Sequence, residues 1–221
     1  MQLFKVLNDE QIKMFRETCD KLEWKDGKGS ARGAAKDIKK NQQAYPSDKN
    51  FKPISDIITK TVFSSMIKNY AFAKEIVGLR ANKYGPGETY GWHVDMSHMN
   101  GKRTDMSFTL FLSDPDTYVG GELMMKTMGS TVSVKPKAGE MVIYPTGILH
   151  QVTPIQSGVR LGIVGWIESF IPDDVARASL FNLSEVLAKV SLHLDKGEKL
   201  EKETQETLNQ TYYQLIRRFS Q

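Results

Sequence analysis

Residues 76–95 read Ile76-Val77-Gly78-Leu79-Arg80-Ala81-Asn82-Lys83-Tyr84-Gly85-Pro86-Gly87-Glu88-Thr89-Tyr90-Gly91-Trp92-His93-Val94-Asp95, two β-rich runs divided by a Gly-Pro-Gly turn. The same texture continues to Phe170, where short runs of β-branched and aromatic residues are bounded by Gly, Pro or Asp. These runs predict strands at 76–84, 89–94, 106–112, 121–126, 131–135, 140–144, 148–153 and 159–169. Many short strands at such close spacing point to a closed or double-sheet antiparallel architecture, with a jelly-roll barrel as the expected host.

Helical spacing flanks this region on both sides. Asn8 followed by Gln11 is a capping-box-like start, and Ile12, Phe15, Cys19 and Leu22 recur at the period of an amphipathic helix over 8–23. Cys19 lies on that apolar stripe and reads as a small buried hydrophobe. From 26 to 53 the periodicity disappears, and Gly27, Gly29, Gly33, Pro46 and Pro53 punctuate a stretch read as a long loop. It returns over 54–75 through Ile54, Ile57, Ile58, Val62, Met66 and Tyr70. Beyond Pro172, Val186, Leu187, Val190 and Leu194 mark a helix over 184–194. Leu200, Thr204, Leu208, Tyr212, Leu215 and Phe219 mark another over 198–219, with Gly197 between them. The expected fold is therefore mainly β with flanking helices. Residues 1–75 form a helical support, 76–171 a β core, and 172–221 a C-terminal helical hairpin that packs on the barrel or makes a homo-oligomer contact.

Composition excludes other classes. The chain has 221 residues, 40% hydrophobic and 25% charged, values of an ordinary globular protein rather than a disordered or low-complexity one. One cysteine rules out an intramolecular disulfide framework and a cysteine-based zinc site. No run of about 18 apolar residues occurs, so no membrane span is expected and a cytoplasmic location is the default reading. The net charge of +4 is unevenly placed: Lys25, Lys28, Arg32, Lys36, Lys39, Lys40, Lys49 and Lys52 face only Asp26, Asp37 and Asp48 within 25–52. A solvated loop accounts for that excess, and nucleic acid is not the expected partner.

The chemistry-bearing residues are few. His93 and Asp95 are two apart, which on a strand puts both on one face. A third ligand must come from elsewhere, and His150 stands after the Pro145-Thr146-Gly147 turn. Two histidines and a carboxylate on one face form the facial triad of non-haem Fe(II) oxygenases. Ten residues after His150, Arg160 opens the apolar run Leu161-Gly162-Ile163-Val164-Gly165-Trp166, where a guanidinium must meet an anion or reach solvent. Beside an iron site, the distal carboxylate of 2-oxoglutarate suits its planar fork.

The runs Asn82 to Asp95, Arg103-Thr104-Asp105-Met106-Ser107-Phe108-Thr109-Leu110-Phe111-Leu112-Ser113-Asp114-Pro115, Gly120-Gly121-Glu122-Leu123 and Tyr144-Pro145 through Val152-Thr153-Pro154 resemble the PKHD-type hydroxylases, relatives of the prolyl and lysyl hydroxylases. Trp24-Lys25-Asp26-Gly27, Asn41-Gln42-Gln43 and the helical tail extend the likeness over most of the chain. The resemblance implies a double-stranded β-helix. It implies iron ligands at His93, Asp95 and His150, a 2-oxoglutarate clamp at Arg160, and L-ascorbate (vitamin C) as auxiliary reductant. The implied activity is hydroxylation by O2, coupled to decarboxylation of 2-oxoglutarate to succinate and CO2. The substrate, a peptide or small molecule, is left open.

Further candidates surround the triad. Tyr84 and Tyr90 bracket the turn before His93 and either bond the 2-oxoglutarate carboxylates or pack on a strand. Thr109 faces away from Phe108 and Leu110, and Trp166 shares a strand face with Arg160 and either walls the pocket or fills the core. His98 reads as a solvated loop residue, and His193 has no assigned role. Two other readings stand beside the hydroxylase: a cupin-like metal enzyme that makes no use of Arg160, and a non-catalytic β-barrel module using the basic segment.

Overall fold

The computed structural model describes residues 1–64, 66–127, 129–195 and 202–221. Strands β1 (Gln2–Lys5), β2 (Lys25–Asp26), β3 (Lys39–Lys40) and β4 (Gln42–Ala44) precede the β-rich region. Within it lie β5 (Ala73–Tyr84), β6 (Thr89–His93), β7 (His98–Met99), β8 (Lys102–Arg103), β9 (Met106–Phe111) and β10 (Tyr118–Gly120). It continues through β11 (Leu123–Thr127), β12 (Ser130–Val134), β13 (Glu140–Pro145), β14 (His150–Val152), β15 (Ile155–Gly158) and β16 (Arg160–Ser169).

The larger sheet has the order β1-β13-β9-β16-β5-β4-β2 and the smaller β12-β11-β14-β6-β3. Each is built around four of the eight expected strands: β13, β9, β16 and β5 in one, β12, β11, β14 and β6 in the other. The chain crosses between sheets at most connections, which is the jelly-roll pattern. Strand β9 is buried throughout, yet its residues alternate in task. Met106, Phe108 and Leu110 join the large core beneath the helices, whereas Phe111 packs with Leu123, Met125, Val142 and Tyr144 between the sheets.

Three helices cover the outer face of the larger sheet: α1 (Asp9–Cys19), α2 (Lys52–Ser64) and α3 (Met66–Ala71). The Asn8 capping box is complete, with Gln11 N–H donating to Asn8 Oδ1 at 2.9 Å and Asn8 N–H to Gln11 Oε1 at 3.0 Å. Phe15, Phe51, Ile54, Ile58 and Val62 are fully buried in the same core. Cys19 lies there too, and burial pushes its thiol up to about 12, so it carries no thiolate chemistry.

Two expectations are corrected. The helix expected over 54–75 gives way at Phe72, whose φ of 45° reverses the chain, so that Ala73–Glu75 already belong to β5. Helical spacing alone could not reveal a left-handed residue of this bulk. Nor is 26–53 a free loop. Its β4 pairs with β5, setting Gln43 against Asn82, and its β3 pairs with β6, setting Lys39 against Tyr90. These strands of two or three residues are too short to show a period of two.

At the C-terminus, α4 (Asp174–Asp195) begins ten residues before its expected start, and α5 (Lys202–Phe219) returns beside it. Tyr212, Ile216 and Phe219 pack on Ile171, Ala176 and Leu180, so this hairpin caps the chain's own core, while Leu215 is exposed. The turn at Gly197, Leu200, and the side chains of His193 and Leu194 lie outside the described residues. No described helix is long and apolar enough to cross a membrane.

Replacing Ile58, fully buried on the inner face of α2 and remote from the cavity between the sheets, removes packing without touching a polar group. Ile58→Ala is expected to lower unfolding free energy by about 2–5 kcal/mol in urea denaturation, with metal binding to the folded fraction retained.

Candidate functional site

Between the sheets lies a cavity of about 860 Å³, its open mouth included, and His93, Asp95, His150 and Arg160 all line it. The register of β6 and β14 sets His150 directly opposite His93, with ring centres 4.2 Å apart. Strand β6 ends at His93, so Asp95 stands just past it rather than at the next same-face position of a continuing strand. Its two carboxylate oxygens lie 3.7 Å from His93 Nε2 and 3.7 Å from His150 Nε2. One donor atom from each residue falls within 4.8 Å of the others, a cluster able to hold a metal ion.

The surroundings prepare these atoms for a cation. His93 Nδ1 donates to Gly91 O at 2.7 Å and His150 Nδ1 to Ile148 O at 2.8 Å. A carbonyl can only accept, so each Nε2 keeps its lone pair toward the cluster. Asp95 Oδ2 accepts from Ser107 Oγ at 2.8 Å and from Trp166 Nε1 at 2.9 Å, and Ser107 Oγ is 3.0 Å from Thr146 Oγ1. Burial first, and the neighbouring His150 second, push the His93 pKa down to about 4, which keeps its imidazole neutral.

Arg160 is 1% exposed. Its guanidinium lies 5.3 Å from the Tyr84 ring centre and 4.9 Å from that of Phe111. Its Nε is buried with no hydrogen-bond partner, and among the described residues no carboxylate pairs with it. The option of reaching solvent is thus closed, and an anion is what the position lacks. Two imidazoles with Nε2 turned to the cluster, one carboxylate and an unmatched guanidinium in one cavity fit Fe(II) and a dicarboxylate co-substrate.

The other expected residues line the same cavity in distinct ways. Tyr84 is buried against Arg160, and Thr109 faces inward from β9. Tyr90 stacks on His93, with ring centres 3.4 Å apart and planes at 18°. Trp166 acts on Asp95 through its indole N–H. His98 is exposed, beside Ser97, and does not line the cavity. Sequence reasoning missed Ser107 and Thr146. Ser107 was findable, since it shares the parity of Thr109 on β9.

Two outcomes are expected. Ser107→Ala and Trp166→Phe each remove one of the two donors to Asp95 Oδ2 and should weaken Fe(II) binding by about 10–100-fold in metal titrations, with the fold intact. An unfolded imidazole titrates near about 6.5, so as pH falls from there toward about 4 the unfolded chain takes up a proton that folded His93 refuses. Metal-free protein therefore loses stability across that window, and thermal melts should show a shallower pH slope in His93→Gln.

Comparison with known proteins agrees with this geometry. Residues 79–168 match the family described as the 2OG-Fe(II) oxygenase superfamily. A PKHD-type hydroxylase of Acinetobacter baumannii is 34% identical, covering 98% of this chain and 96% of its own. One of Hyphomonas neptunium is 39% identical over 87% and 88%. Among solved structures, a Pseudomonas putida prolyl-4-hydroxylase superposes with a TM-score of 0.57 at 21% identity, covering 76% of this chain and 91% of that one. A Trichoplax adhaerens prolyl hydroxylase, bound to a hypoxia inducible factor peptide, gives 0.58 at 14% over 81% and 86%. The structural likeness concerns the fold, but identity of this order across almost the whole of both chains is a matter of descent: the chain belongs to the PKHD-type hydroxylases and is a 2-oxoglutarate-dependent dioxygenase.

Proposed function

We propose that His93, Asp95 and His150 hold Fe(II), and that Arg160 clamps the distal carboxylate of 2-oxoglutarate with Tyr84 beside it. Iron and 2-oxoglutarate together supply the oxidising power that turns a substrate C–H into C–OH with O2, leaving succinate and CO2. The two Nε2 lone pairs and the Asp95 carboxylate would together hold the metal, the donor set of a facial triad. Ser107 and Trp166 fix the carboxylate, while the Tyr90 ring fixes His93 and shields it from water. Thr109 and Tyr144 belong to the same inner wall, where burial holds the Tyr144 phenol well above its usual value and hence protonated.

One observation carries this reading: a fully buried guanidinium with no anionic partner among the described residues faces the cavity that contains the His-Asp-His cluster. It favours the 2-oxoglutarate enzyme over a cupin-like site, in which that charge would have no counterpart. Ascorbate as auxiliary reductant and a cytoplasmic location complete the proposal, both resting on resemblance to the family and on the sequence. The substrate is a peptide side chain or a small molecule.

Anaerobic titration of Fe(II) and 2-oxoglutarate, followed through the metal-to-ligand charge-transfer band, tests the assignments without a substrate. Asp95→Ala should abolish the band and 2-oxoglutarate turnover. Arg160→Met loses charge-assisted hydrogen bonds worth about 1.5–3 kcal/mol each and should weaken 2-oxoglutarate at least about tenfold, with iron affinity nearly unchanged. Unchanged 2-oxoglutarate affinity in that variant would remove Arg160 from the role.

A further inference from the structure

The cavity holds more positive charge than iron and 2-oxoglutarate require. Asp95 is its sole lining carboxylate among the described residues, whereas Lys39, Arg80, Arg32 and Arg160 all line it. Fe(II) and Arg160 together balance Asp95 and a doubly charged 2-oxoglutarate. Lys39, Arg80 and the exposed Arg32 are then left over, and neither Lys39 nor Arg80 has an ion-pair partner among the described residues.

Lys39 is held away from water, and Arg80 is partly so. Lys39 is 3% exposed; its ammonium donates to Ser30 Oγ at 2.7 Å and lies 4.6 Å from the Tyr90 ring centre. That single hydroxyl leaves two of its three donors to be satisfied. Arg80 is half-buried, its guanidinium 5.0 Å from the Trp166 ring centre, and its one side-chain hydrogen bond among the described residues is a weak contact to Met99 Sδ at 3.7 Å. Each cation stands one aromatic ring from the His-Asp-His cluster: Lys39 beyond Tyr90, which stacks on His93, and Arg80 beyond Trp166, which donates to Asp95. A packing role explains neither charge, because a neutral side chain would fill the same space without the desolvation cost.

We propose that the primary substrate carries an oxyanion, a carboxylate or a phosphoryl group, which Lys39 and Arg80 bind, so that the attached carbon chain is directed at the metal. The inference rests on the iron and 2-oxoglutarate reading above, which assigns Arg160 to the co-substrate and leaves this pair for the substrate. Exposed Arg32, Lys36 and Lys40 on the same segment add a field that draws anions toward the cavity.

The test is calorimetric titration of acetate, methyl phosphate and neutral acetamide into protein loaded with Mn(II), a redox-silent stand-in, and saturating 2-oxoglutarate. Acetate or methyl phosphate should bind saturably and acetamide should not, and the tighter of the two anions names the source of the oxyanion. Lys39→Met and Arg80→Met should each weaken that binding about tenfold or more, while Lys39→Arg retains most of it. Should Lys39→Met fail to fold, the less buried Arg80→Met carries the comparison. Absence of saturable anion binding, or equal binding in both Met variants, overturns the proposal. So does a parallel loss of 2-oxoglutarate affinity in those variants, which would give the pair to the co-substrate. If wild type itself fails to bind 2-oxoglutarate, the co-substrate assignment falls instead, and the same titrations on protein holding Mn(II) alone decide the oxyanion seat.

Discussion

The pairing of β6 with β14 is the constraint from which the site follows. It sets His150 across from His93, and a slip of one residue would send one imidazole to the opposite face of the sheet. The register shifts between His150 and Val152, where Val152 stands against Tyr90. Two steps along β14 thus span three along β6. That irregularity lets Tyr90 and His93, an odd number of residues apart, stack on each other. One bulge therefore sets both the metal-side histidine and the ring that shields it.

Around that pair the protein arranges buried charge with few partners. Asp95 receives two neutral donors, Ser107 and Trp166, that hold its geometry while leaving its charge in place. Arg160 is boxed by aromatic rings that offer attraction to its face but no oxygen to its Nε. Both choices keep electrostatic work in reserve for a ligand, because a carboxylate placed beside Arg160 would have neutralised the position in advance.

Long strands and short ones differed in how readily the sequence revealed them. All eight strands of the jelly roll could be read from 76–169, since they are short β-rich runs separated by Gly, Pro and Asp turns. The His-Asp-His cluster and Arg160 were legible because those residue types are costly inside a barrel and need a reason to be there. Lys39 was not. In sequence it is one of a group with Lys36 and Lys40, and only the pairing of β3 with β6 turns it inward while the other two stay in water. Trp166 was placed on the correct wall, but its bond to Asp95 spans 71 positions and no local pattern encodes it. The division of 54–75 was hidden for a similar reason: Phe72 adopts its unusual conformation as its carbonyl receives the Phe170 N–H, a contact made across the fold.

The position of β16 governs the order in which the molecule can be completed. It lies between β9 and β5 in the larger sheet, although it is the last strand among the described residues. At about 5–20 residues per second of synthesis, β5 and β9 emerge seconds before the strand that joins them, and each meanwhile presents an open edge to the ribosome's surroundings. Contacts of such long sequence separation make folding slow and give chaperones a window in which to act. Because Arg160 is the first residue of that closing strand, its buried position exists only once β16 lies between β9 and β5.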